Sequence, residues 1–285
     1  RELAAFETKE LAVERRREIA ASQTRARAWS ARGPVVSDIS GDGPPLILLH
    51  GLAGSATWWQ RNTPALEQHF KVHAIDLPGF GASKREARFV LDDAPAQLIE
   101  TMDRLGIDRA SFIGHSMGGL VAAGVAAEHP DRVDKLVLVD AGFLSLDPHF
   151  HHRITGPLRT LRWTSPSLLP VLAWDTIRSG PIRMVQATTQ LLRADWRLKL
   201  SKIQAPTLVI WGEHDRICPI GIGRSIVGVV SDSRLVVIEG AAHNPMWERP
   251  DDFDREVLEF LGVAAPSEDD DVGASGRAAT PAPAR

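Results

Sequence analysis

The 285-residue chain contains no tyrosine, one cysteine and four methionines. Without tyrosine, no phenol can serve as acid, base or hydrogen-bond donor. A lone cysteine, Cys218, excludes an internal disulfide and any multi-cysteine zinc or iron–sulfur centre. Long apolar runs are missing as well. The longest candidates, such as Gly119–Ala127, fall well short of the roughly 18 residues that cross a bilayer. There is no basic excess: 33 Lys plus Arg face 36 Asp plus Glu, for a formal charge of −3, which argues against a nucleic-acid partner. The glycines of 79–81 lack the GxGxxG spacing of a dinucleotide site, and no cofactor is expected. A charged start (Arg1, Glu2, Glu7, Lys9, Glu10) is unlike a secretory leader, so the cytoplasm is the expected compartment.

What remains is ordinary globular material, 44% hydrophobic and 24% charged. Residues 1–30 form an expected helical extension, rich in Ala, Glu and Arg, whose apolar positions hold no single face. Residues 264–285 carry no bulky hydrophobe beyond Val272 and read as a disordered tail. Between them, short apolar runs alternate with helical patterns. Runs at 35–39, 46–49, 71–75, 110–113, 133–139, 207–211 and 235–238 predict strands. Helices fit at 92–105, 117–128, 220–230 and 250–261. Apolar strands spaced by helices predict a doubly wound, mostly parallel sheet covered on both faces. The rhythm breaks at 144–201, where no strand pattern occurs. A helical cap inserted over the carboxyl edge of the sheet is expected there, dividing the core into 31–143 and 202–263.

Gly114-His-Ser-Met-Gly118 directly follows a strand and opens a helix. A serine on so sharp a turn needs small neighbours, and the helix start favours negative charge beside it. Ser116 is therefore the candidate nucleophile. Its hydroxyl needs a base. His243, on the loop after the last strand, stands behind small residues that leave its ring free. The acid that fixes the histidine tautomer is Asp215, after the strand at 207–211, with Asp140 at the end of 133–139 as its rival. Backbone N–H groups of Met117 and Leu52 are the expected oxyanion donors. His50, beside Leu52, reads as a loop-fixing residue.

On His50-Gly51, Asp76-Leu-Pro-Gly-Phe-Gly81, the Ser116 motif, Pro206–Asp215 and His243-Asn-Pro245, the chain resembles the α/β-hydrolase superfamily over about 35–262. The likeness is to its small capped branch of esterase-, haloperoxidase- and carbon–carbon-hydrolase-like members. It implies an eight-stranded sheet, with the opening strands abbreviated because little chain precedes Leu46. It implies the order nucleophile, acid, histidine. Dehalogenase- and epoxide hydrolase-like members are excluded, because they use Asp where Ser116 stands and the latter need cap tyrosines.

Trp58, Phe143, Trp163 and Trp174 are candidates to line a substrate pocket, although some of these aromatics serve to hold cap to core. The insertion carries seven Arg against three Asp. A basic lid would favour carboxylate or phosphate substrates; solvated helix faces are the simpler reading. His149, His151 and His152 lack neighbouring carboxylates or cysteine, and no metal site is read there. The expected activity is hydrolysis of a carboxylic ester of a small to medium apolar substrate through an acyl-enzyme. Carbon–carbon, thioester or amide hydrolysis and cofactor-free perhydrolysis are the alternatives. A non-catalytic binding protein is less favoured, because no triad member is missing. Stable membrane insertion is not expected, and the oligomeric state is not legible.

Overall fold

A computed structural model describes residues 35–85, 88–143, 160, 162–194 and 196–263. The expected amino-terminal helix, the tail and the 149–152 histidines lie outside them.

Seven strands form one sheet: β1 (Val35–Ser40), β2 (Pro45–Leu49), β3 (Lys71–Asp76), β4 (Ala110–His115), β5 (Val133–Val139), β6 (Thr207–Gly212) and β7 (Ser233–Ile238). Their order is β1-β3-β2-β4-β5-β6-β7. Only β1 runs antiparallel, against β3; the other pairs are parallel. The family resemblance implied eight strands, and the described residues hold seven. The described chain ahead of β2 supplies a single strand, folded back through Gly41–Pro44.

Alternation sets which residues face which side. Leu46 and Leu48 of β2 pack into one apolar cluster, Ile47 and Leu49 into the other. Four helices cover these faces. α1 (Ala94–Leu105), α2 (Met117–Glu128) and the helix at Ile220–Val227 share the first cluster. The last, Pro250–Leu261, brings Phe253 and Val257 to the second. Every residue from Met117 to Ala127 is buried, so α2 is apolar all round. Its many Ala and Gly residues let it lie close between β4, β5, α1 and a turn at Arg197–Leu200. Each fully buried Leu, Ile or Val contributes about 1.5–3 kcal/mol by leaving water.

Between β5 and β6 the described residues contain no strand. Here lie α3 (Leu169–Ser179) and α4 (Pro181–Arg193), joined at Gly180. The inner face of α4 presents Ala187 and Leu191 to the first cluster. Gln190 fastens α4 to the segment before α1: its Oε1 accepts the Leu91 N–H at 2.8 Å and its Nε2 donates to the Phe89 carbonyl at 3.2 Å.

The strand order creates the site. After β2 the chain winds outward to β3, then returns to form β4 on the other side of β2. The loops leaving β2 and β4 therefore diverge over adjacent strand ends and open a crevice at the carboxyl edge.

Candidate active site

Ser116 stands where β4 passes into α2, with φ 49° and ψ −113°. This is the left-handed region, and a non-glycine residue there costs about 1–3 kcal/mol. Surrounding bonds impose it. The Ser116 N–H donates to the Val139 carbonyl at 2.9 Å, and its own carbonyl accepts from the Gly119 and Gly142 N–H groups. Close approach demands glycine at 118, where a Cβ would lie 2.5 Å from the Leu49 carbonyl oxygen. Gly51 is constrained likewise, since its Cβ would sit 2.7 Å from the His115 Nδ1.

The structure brings Ser116, His243 and Asp215 together from the ends of β4, β7 and β6. His243 Nε2 lies 3.1 Å from Ser116 Oγ, and His243 Nδ1 lies 2.7 Å from Asp215 Oδ2. A carboxylate only accepts, so Nδ1 carries the proton and Nε2 is left bare toward the hydroxyl. The second Asp215 oxygen accepts the Ile217 N–H at 2.7 Å and the Cys218 N–H at 3.0 Å. All three side chains are buried. Glu248 pins the histidine loop, accepting the Ala242 N–H at 2.6 Å and the Asn244 N–H at 3.4 Å. Burial pushes its carboxyl above the usual range.

Asp140, the rival acid, does not bond the histidine among the described residues. Its Oδ1 accepts the Gly212 N–H at 3.0 Å, and its carboxyl faces that of Asp215. It is fully buried. Burial first, then the Asp215 charge, holds its carboxyl well above the ordinary range, with Glu248 adding to the effect. Both causes favour the neutral form of Asp140, and a neutral carboxyl has a proton to offer its neighbour.

Leu52 follows the turn at Gly51, and Met117 follows Ser116. Among the described residues neither N–H donates to an acceptor, so both remain available at the crevice. His50 is consumed by the loop: its Nε2 accepts the Leu77 N–H at 3.0 Å, which leaves Nδ1 to donate to the Gly51 carbonyl at 2.7 Å. Burial lowers its pKa.

Two contributors escape a motif reading. His115, the variable position before the serine, donates from Nε2 to the His243 carbonyl at 2.7 Å, and its ring lies tilted against the His243 ring at 4.9 Å. Burial, reinforced by His243, pushes its pKa well down and keeps it neutral. Asp175 of α3 is the other. Its Oδ2 accepts Ser55 Oγ at 2.8 Å and Trp58 Nε1 at 3.0 Å, clasping the insertion to the loop that follows β2. A lone acid in a helix gives no signal of this. The neighbouring His115 does hint at its role by standing inside the nucleophile motif.

The four pocket candidates separate. Trp58 is buried, tilted against His115 at 5.6 Å. Phe143 is fully buried edge-on to Trp196 at 5.6 Å and joins core to insertion. Trp163 instead stacks on His214 at 3.7 Å, over the loop after β6. Trp174 is placed outward: it shares an exposed stripe with Ile177, while the adjacent Asp175 takes the inward side of α3. Cys218 brings a thiol near Asp215 and His243, with donor atoms of the three within 4.8 Å of one another. The 2.7 Å His243–Asp215 bond engages two of those three groups with each other.

Comparison with known proteins places the chain within a fold family. The family model for the alpha/beta hydrolase fold matches residues 44–159 and 174–250. A pimeloyl-[acyl-carrier protein] methyl ester esterase of Chromobacterium violaceum is 32% identical over 250 residues, covering 79% of this chain and 97% of that protein. A 2-hydroxy-6-oxo-6-phenylhexa-2,4-dienoate hydrolase of Comamonas testosteroni is 29% identical over 259 residues, covering 78% and 89%. A thermophilic esterase structure from Thermogutta terrifontis superposes with a TM-score of 0.67 at 26% identity, covering 79% and 91%. The chain belongs to the alpha/beta hydrolase fold family and is a hydrolase.

Proposed function

We propose that the chain is a serine hydrolase acting through an acyl-enzyme on a carboxylic ester of a small to medium apolar substrate. The continuous line from Ser116 Oγ through His243 to Asp215, at 3.1 and 2.7 Å, carries this reading. Ser116 Oγ attacks the carbonyl carbon while His243 Nε2 takes its proton. The tetrahedral oxyanion is held by the Leu52 and Met117 N–H groups, fixed in place before the charge develops. Asp215 stabilises the imidazolium, and His243 returns the proton to the leaving alkoxide. Water, activated by the same ring, then releases the acid and restores Ser116. Trp58 and its neighbours supply an apolar wall.

Carbon–carbon cleavage is the second reading, favoured by the likeness to the Comamonas dienoate hydrolase. The same triad serves, with a carbanion as leaving group. A fluorophosphonate probe should label wild type and leave Ser116→Ala unlabelled; failure to label wild type defeats both readings. An aryl ester chain-length series set beside vinylogous diketones then separates them. Turnover of esters alone supports the first, and faster diketone cleavage replaces it with the second.

A further inference from the structure

The outer surface of the insertion is built from residues that the hydrolytic site does not use. Trp174 and Ile177 of α3 are 66% and 77% exposed, and Ile182 and Val185 of α4 are 72% and 65% exposed. Each pair is spaced three residues apart, so each forms a stripe on its helix, and the helices meet at Gly180. Four large apolar side chains on one helical hairpin exceed the scattered singles of an ordinary surface. Cations lie at the end of the hairpin where the two stripes approach. Lys84, Arg85, Arg88 and Arg183 line a cleft of about 570 Å³ beside Gly180 and Ile182, and Arg178 is exposed on the same hairpin. Among the described residues none of the five forms an ion pair; Arg183 Nη1 reaches only the Ser179 carbonyl, at 3.5 Å. In sequence, Glu86 is the one acid among residues 84–88. This concentration of positive charge occurs on a chain whose formal charge is −3.

The geometry points to this hairpin as an interfacial anchor for an anionic phospholipid surface, with the apolar quartet entering the acyl layer and the basic cleft receiving headgroup phosphate. Charge complementarity selects that occupant. A second copy packed through the same face would set these cations against their own counterparts across a two-fold axis. The chain's acidic segment Glu268–Asp271 has the right charge, but Val272 is its only bulky apolar neighbour and cannot cover the quartet. A lipid surface satisfies both needs at once, as peripheral amphipathic anchors do. Among the described residues no helix is long and apolar enough to cross a membrane, so attachment is to one leaflet.

The test is co-sedimentation of the full chain with phosphatidylcholine vesicles and with 3:1 phosphatidylcholine–phosphatidylglycerol vesicles, at low and high salt. Binding is expected only to the anionic vesicles and should weaken in high salt. The triple change Arg85→Gln, Arg88→Gln, Arg183→Gln should lower the partition coefficient roughly tenfold or more. Ile177→Ser with Ile182→Ser should lower it while leaving salt sensitivity in place. Both variants should turn over a soluble short-chain aryl ester at the wild-type rate, which separates anchoring from catalysis. Vesicle addition should also shift tryptophan emission to shorter wavelength in wild type and not in Trp174→Phe, an independent readout if a multiple variant misfolds. Absence of pelleting, equal binding to neutral vesicles, or unchanged binding by both variants overturns the inference. So does a dimer cross-linked through residue 177, or binding only to an acidic protein.

Discussion

The rim of the sheet and the outer face of the insertion handle polarity in opposite ways. At the rim, charged and polar groups are buried and almost every one has a fixed partner: His243 with Asp215 and Ser116, His50 with Leu77 and Gly51, Asp175 with Ser55 and Trp58. On the outer face of the α3–α4 hairpin, large apolar side chains stand in solvent, and Arg178 and Arg183 form no ion pair among the described residues. A preorganised rim can perform chemistry without rearrangement, because its dipoles are aligned before substrate arrives. The insertion's outer face gains its partners only by meeting something else. The fold thus keeps its paired polar groups at the rim and its unpaired surface on the hairpin.

This contrast breaks first at the proposed nucleophile. Ser116→Ala should lower kcat by about 10⁴- to 10⁶-fold with the fold intact, measured by ester turnover beside circular dichroism. The two carboxyls at neighbouring strand ends come next. Asp215→Asn should cost about 10³- to 10⁴-fold in kcat, because the amide favours the wrong imidazole tautomer. Asp140→Asn keeps a neutral donor beside Asp215 and should stay within about tenfold of wild type. Equal damage from the two would show that both carboxyls serve the histidine.

Asp140 also sharpens the comparison through pH. Its pKa is raised on folding, so the native chain retains a proton that the unfolded chain releases above about 3.8. Its contribution to stability is complete below that value and is lost as pH rises through the raised one. Urea midpoints between pH 5 and 9 should therefore fall more steeply for wild type than for Asp140→Asn. The smallest effect belongs to the clasp. Asp175→Ala strands the Trp58 indole N–H and leaves the Ser55 hydroxyl only Thr57 Oγ1, at 2.7 Å, and should cost about 1–3 kcal/mol of stability. Ester assays should show a larger change in KM than in kcat, since the clasp positions the insertion and not the triad.

Legibility followed the same division. The strand at 46–49 was readable because a strand buried on both faces is apolar along its whole length, and those near 71–75 and 133–139 because their buried stretches are β-branched or apolar, with polar residues confined to the exposed amino-terminal end or, at His73, a single position. The helix expected to reach Val230 stops at Val227, before Gly228, which stabilises a helix poorly. Ser116 and His243 were nominated from the strand-to-helix turn and small neighbours, and the structure sets their side chains 3.1 Å apart. Asp215 was preferred over Asp140 on position alone, both ending strands on the same edge; in the structure Asp215, not Asp140, lies at hydrogen-bond distance from His243. Trp174 was misplaced because an aromatic list carries no phase; only the burial of Asp175 shows which side of α3 faces inward. His115 was passed over because its part is played by the ring, while the motif around it is read for backbone.

The φ of 49° at Ser116 has one more implication. Glycine occupies that conformation at little cost, and serine does not. Ser116→Gly, though inert, should then melt at a higher temperature than Ser116→Ala. Under the proposed function, thermal tolerance is given up at this one backbone position so that a side chain, and with it a hydroxyl, can stand at the turn.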